Sequence, residues 1–214
     1  MTDADVAYWS SAIAPSPRQT KRFPPAKLKD VVEAASVALR GWNYPHVPRN
    51  PQDILGLQDG GIEGRVDWAR YKEVWRFHPD GMFTHRWRMR EDDTGFRGTI
   101  HLVSAIYTGA EVFEFGRRLY RDDESVDEVI FKVDLEGVFD RPGSGDSFED
   151  LPYGTRARRN VANYSTTVPR ADLAAGVLEP AVDATSNLFA QLGFSGVSRG
   201  FITRKTQSFL EGKI

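Results

Sequence analysis

The 214-residue chain contains no cysteine. That absence removes disulfides, thiolate nucleophiles, iron–sulfur clusters and cysteine-ligated zinc. No apolar run approaches the roughly 20 residues of a membrane-spanning helix. An excess of one charge is missing too: 28 Lys and Arg stand against 30 Asp and Glu, a formal net charge of -2. Attraction to nucleic acid or to an anionic membrane must then come from a local patch. The opening MTDADVAYWSSAIAPSPRQTKRF puts acids where a secretory leader carries bases and lacks a continuous apolar stretch, so a cytoplasmic location is expected. No hydrolase elbow is expected, and neither a GxxxxGK[ST] phosphate loop nor a GxGxxG after a strand is present. RPGSGDS has the glycines but neither the lysine nor a following helix, and reads as a loop.

What is there is an ordinary globular composition, 40% hydrophobic and 27% charged, enough for one sizeable core. Residues 1–22 mix Asp, Ser, Pro, Gln, Lys and Arg without a period, which predicts an arm, mobile or docked through Tyr8 and Trp9. Residues 23–214 are expected to form a single α+β domain. Leu28, Val32, Ala35 and Leu39 share one helix face, with Pro25 near the start and Gly41 just past the end. The stretch from Gly61 to Asp92 is the most strand-like. Tyr71, Glu73, Trp75 and Phe77 alternate with Lys72, Val74, Arg76 and His78, and after HPDG, Phe83, His85, Trp87 and Met89 alternate with Thr84, Arg86, Arg88 and Arg90. Pro79-Asp80-Gly81 suits a type I turn with a left-handed glycine, hence a hairpin.

Helical spacing then returns: Leu102, Ile106, Ala110 and Phe113 predict a buried stripe, and Thr108, Glu111, Glu114, Arg118 and Arg121 a solvated one. Gly109 and Gly116 on the buried side would let this helix approach a sheet. Val129, Phe131, Val133 and Leu135 mark a strand, VANYSTTVP another, and two helical patterns close the chain. The expected fold is α+β: an antiparallel sheet with an arginine- and aromatic-rich hairpin, packed against helices.

The succession LRGWNYPHV, EVWRFHPDGMFTHRWRMRED, IYTGAEVFEFGRRL and VIFKVDLEGVFDR, within residues 38–141, resembles an uncharacterised bacterial family with LRGWxxPH, WRFxxxGxF and EVFEFxxRL motifs. Some relatives form the C-terminal part of longer chains that begin with a Schlafen-type AlbA domain. The resemblance implies no established reaction and carries over no catalytic residue. It implies a leaning toward nucleic-acid-related or phage-defence biology.

The residues that could carry function gather on the hairpin. Lys72, Arg76, Arg86 and Arg88 would make a basic face near Trp68, Trp75 and Trp87, the composition of a phosphate-tracking surface with stacking positions. His85 lies between aromatics and is the best acid–base candidate. Secondary candidates are His46 in the helix exit and Arg156, Arg158 and Arg159 after an acidic loop containing Asp146, Glu149 and Asp150. The four histidines lack HxH, HExxH and HxxxH spacing, so neither a metal site nor a cofactor is expected. Glu114 and Arg118 have the spacing of a helix-stabilising pair. Three readings follow. The first is a non-catalytic binding module with a protein partner or a second copy, and no membrane. The second is a nucleic-acid-binding hairpin. The third is an enzyme on a small phosphorylated or nucleotide-like ligand, with His85, Glu73 and arginines converging on a pocket.

Overall fold

The computed structural model describes residues 6–19, 21–50, 53–68, 71–93, 98–145 and 154–213. Its strands are β1 (Tyr8–Ser16), β2 (Ile54–Gly56), β3 (Ile62–Trp68), β4 (Tyr71–Phe77), β5 (Phe83–Arg88), β6 (Ile100–His101), β7 (Glu128–Glu136), β8 (Gly143–Ser144) and β9 (Val161–Pro169). The helices are α1 (Leu28–Ala35), α2 (Leu102–Tyr120), α3 (Arg170–Ala175), α4 (Leu178–Leu192) and α5 (Arg199–Leu210). Seven strands build one antiparallel sheet in the order β2-β3-β4-β5-β1-β7-β9, and β6 pairs with β8 in parallel. The fold is α+β, with the helices gathered on one face of the sheet.

The alternation read from the sequence sets that face. Glu73, Trp75, Phe77, Phe83, His85 and Trp87 are buried while Lys72, Arg76 and Arg86 are exposed. The β4–β5 turn closes as its residues predict: the Gly81 N–H donates to the His78 carbonyl at 2.9 Å, and Gly81 has φ +91°. Next in the core lies α2, crossing the sheet where Gly116 lets it meet Phe131 and Ile13. Gly109 does a different job from the one expected, since its bare Cα faces Thr185 of α4 rather than the sheet.

Three expectations are corrected. Residues 8–16 are not an arm: β1 sits mid-sheet, Tyr8–Ile13 paired with β5 and Tyr8–Ser16 with β7. Its period of two was there, with Trp9, Ser11, Ile13 and Pro15 inward, but small and polar residues disguise it. The first helix stops at Ala35 rather than Leu39, because Val37 pairs with Tyr44 in a short bridge that turns at Gly41, φ +85°. The solvated stripe of α2 is in fact buried at Thr108, Glu111 and Glu114. A second layer of chain, the loop around Arg40 together with α1, α4 and α5, covers the helix.

Candidate functional site

The outer sheet face carries the basic hairpin, and its cations are met by acids from β3 and, across β1, from β7. Lys72, Arg76 and Arg86 have side chains 55%, 53% and 46% exposed. Arg76 Nε donates to Glu63 Oε2 at 2.5 Å, and Arg65 donates to the other oxygen of the same carboxylate. Burial pushes the Glu63 carboxyl up, but the hydrogen bonds from Arg76 and Arg65 outweigh it and hold the group below its usual range. Lys72 lies 3.8 Å from Asp67, and Arg86 lies 2.8 Å from Glu136 with its guanidinium over the Tyr8 ring. Arg88 shares this face and is half-buried. Arg70 lies outside the described residues. Trp75, Trp87 and His85 do not join them, because the pleat sends all three into the core, 0%, 5% and 3% exposed. The expected platform of arginines with stacking tryptophans is therefore split across the two faces.

On the buried side those residues belong to a polar cluster between β4, β5, α2 and the LRGWNYPH loop. The Glu73 carboxylate accepts the backbone N–H of His46 at 2.7 Å and the hydroxyl of Tyr71. His85 Nε2 approaches Glu73 Oε1 to 3.0 Å, an ion-pair distance without hydrogen-bond alignment, and neither ring nitrogen has a directed partner among the described residues. The imidazole stacks on Trp87 at 4.2 Å and meets Tyr44 at 5.0 Å. His46 acts here through its main chain, since its carbonyl accepts Trp75 Nε1 at 2.8 Å. Its ring packs against the edge of Trp68.

On α2, the fully buried Glu111 is gripped by both arms of the Arg40 guanidinium. Arg40 also donates to Thr108 Oγ1 at 3.0 Å and to the Ser104 carbonyl at 3.2 Å. Burial raises the Glu111 carboxyl above its ordinary value, and Arg40 only partly offsets this. Burial likewise raises Tyr44 and Tyr71 and lowers Arg90, whose guanidinium sits 3.2 Å above the centre of the Trp42 ring. Arg40, Trp42, Tyr71, Arg90 and Glu111 enclose a cavity of about 10 Å³, close to the smallest space that holds one water. Sequence reasoning missed Arg40, Tyr71, Arg90 and Glu111 as a unit. The available signal was Ser104, Thr108 and Glu111 on one helix face, flanked closely by apolar residues.

Family models, curated proteins and solved structures offer no match to this chain. Function must be read from the side chains themselves.

Of the secondary candidates, Arg156 and Arg158 line an open hollow together with Phe139, which is 66% exposed. Arg156 is clamped by both oxygens of Asp140 at 2.7 and 3.0 Å. The Arg158 main chain donates to the Leu192 carbonyl, and its side chain lies against Gly193. Arg159 is exposed and does not line the hollow. Asp146, Glu149 and Asp150 lie outside the described residues. Gly196-Val197-Ser198-Arg199-Gly200 has the spacing of a nucleophile elbow. Ser198 is instead a helix cap: its hydroxyl accepts the Phe201 N–H at 3.1 Å, and its φ is -71°. His78 reaches Asp59 at 2.9 Å, and His101 Nδ1 accepts the Ser104 N–H at the start of α2. Among the described residues no cluster of His, Asp or Glu could hold a metal ion, and no helix is long and apolar enough to cross a membrane.

Proposed function

We propose that this protein is a non-catalytic binding module of the cytoplasm that engages a macromolecular partner through its surface. The observation that carries this reading is the burial of Glu73, His85 and Glu111 together with the small cavity left beside Glu111. Those groups have the inventory of an acid–base site. Here each carboxylate is taken up by a partner inside the chain, and about 10 Å³ remains, where a substrate would need several hundred. The cluster thus joins loop, helix and sheet, and the surface is left for recognition. The basic hairpin supports nucleic-acid binding less well, because Glu63 and Glu136 interleave with its arginines.

The reading is tested by incubating the purified protein with a polar-metabolite extract and following the mixture by mass spectrometry, alongside Glu73→Gln and His85→Asn. No time-dependent consumption is expected. Turnover by the wild type that either variant loses would overturn the reading.

A further inference from the structure

A sheet of this kind has two edges, and the chain treats them differently. On one side β2 is only three residues long, a common way to blunt an edge against pairing. The other edge is β9, nine residues long and, among the described residues, paired with β7 on one side only. Near its start the open side is capped by a side chain. The Asn163 N–H donates to Gln191 Oε1 at 3.2 Å, and Gln191 Nε2 donates back to the Asn163 carbonyl at 2.6 Å. The amide of Gln191 thereby imitates one rung of a neighbouring strand.

That contact also fixes the phase of the edge. In an antiparallel ladder, alternate residues turn both main-chain groups toward the same neighbour. Asn163 turns them outward, so Ser165 and Thr167 do as well. Among the described residues nothing pairs with the main chain of either on that side, and both are exposed.

Beside this uncapped length runs a groove of about 490 Å³ between β9 and the start of α4. Tyr164, Val168 and Leu178 supply its apolar lining, and Asp172, Glu179 and Asp183 its acidic rim. Arg199 pairs with Glu179 and Asp183, which leaves three carboxylates against one guanidinium. A strand laid along Ser165–Thr167 would send every second side chain into this groove.

We propose that the open edge of β9 at Ser165 and Thr167, with this groove, docks an extended segment of a partner protein that alternates apolar and basic residues. Main-chain pairing gives affinity in such strand addition, and pockets for alternate side chains give specificity. A second copy fits less well: two β9 edges paired across a twofold axis would bring acidic rim against acidic rim, a repulsion that suppresses such pairing. The assignment rests on the reading of the protein as a binding module and names the surface and the chemistry of its partner.

The test uses the full chain and a fluorescein-labelled synthetic peptide alternating valine and lysine, titrated by fluorescence anisotropy. Saturable binding is expected, with hydrogen-exchange protection appearing at the Ser165 and Thr167 amides. Ser165→Pro removes the donor at an edge position where proline is tolerated, and should weaken binding about tenfold or more. Asp172→Lys, a surface change away from the ladder, should also weaken it. Gln191→Ala, which uncaps the next rung, should strengthen it. A valine–glutamate peptide should not bind. The assignment fails if the lysine peptide does not bind, or if Ser165→Pro binds it unchanged. It also fails if a version N-methylated at alternate residues binds equally well, or if light scattering shows a dimer that Ser165→Pro abolishes. These outcomes are separable from the metabolite experiment, which reads turnover and is indifferent to the β9 edge.

Discussion

Replacing Arg40 by Met should be among the most damaging single changes at any polar side chain of this protein. The Arg40 and Glu111 side chains are 9% and 1% exposed and form a two-armed ion pair. Methionine keeps much of the aliphatic stem but leaves the buried carboxylate without its hydrogen-bonded ion-pair partner, opposed only by the Arg90 charge nearby. Breaking a buried pair from one side costs about 3–5 kcal/mol. At about 2–4 °C per kcal/mol for a domain of this size, the melting temperature should drop by roughly 6–20 °C. The loss should also depend on pH in a defined direction. Glu111 already has a raised pKa in the fold because it is buried, with Arg40 opposing. A carboxyl whose folded pKa exceeds its unfolded one favours the fold below the unfolded value, and that contribution is lost as pH rises through the folded value. Removing Arg40 raises the folded value further, so the variant should lose more stability at pH 8 than near pH 5. Urea denaturation of wild type, Arg40→Met, Glu111→Leu and the double variant, each at both pH values, closes the cycle. The double variant should recover most of the loss, since an apolar replacement of a buried pair is often neutral or stabilising. A single-variant loss below about 1 kcal/mol, or a double variant no better than Arg40→Met, would refute the reasoning.

Other outcomes test the packing and the charge pattern. Gly116→Ala drives a Cβ into the Phe131 ring and should cost about 1–3 kcal/mol in urea melts. Gly200→Ala, whose Cβ would meet only the far end of Arg204, should gain up to about 1 kcal/mol through helix propensity. The Tyr120 hydroxyl donates to the buried Gly81 carbonyl behind the hairpin turn, so Tyr120→Phe should cost about 1–3 kcal/mol by thermal melting. The wild type should pass through a DNA column at low salt. Retention that weakens on adding salt, and again when Arg86 and Arg88 become Ala, would restore the nucleic-acid reading.

Much of the architecture was legible in local pattern. The β4–β5 hairpin, β7 and β9 alternate strictly, and the glycine at position 81 takes the left-handed conformation its turn needs. The helix-stabilising pair of Glu114 and Arg118 forms at 2.9 Å as its spacing requires. The candidate site was half legible. The sequence grouped Lys72, Arg76, Arg86 and Arg88 correctly on one side of the hairpin, and the aromatic alternation already opposed them to Trp75, Trp87 and His85. It could not show that Glu63 and Glu136, from strands on either side, would occupy two of those arginines.

Period and turn chemistry depend on neighbours in sequence, and those the chain determines by itself: which segments are strands, which are helices, and which hairpin closes. Burial and charge pairing depend on neighbours in space. YWSSAIAPS becomes mid-sheet only because β5 and β7 arrive on both sides of it. The polar stripe of α2 becomes interior only because Arg40, 71 residues away from Glu111, folds down to neutralise it. Ionised groups enter a core when a partner enters with them, and no local pattern names that partner.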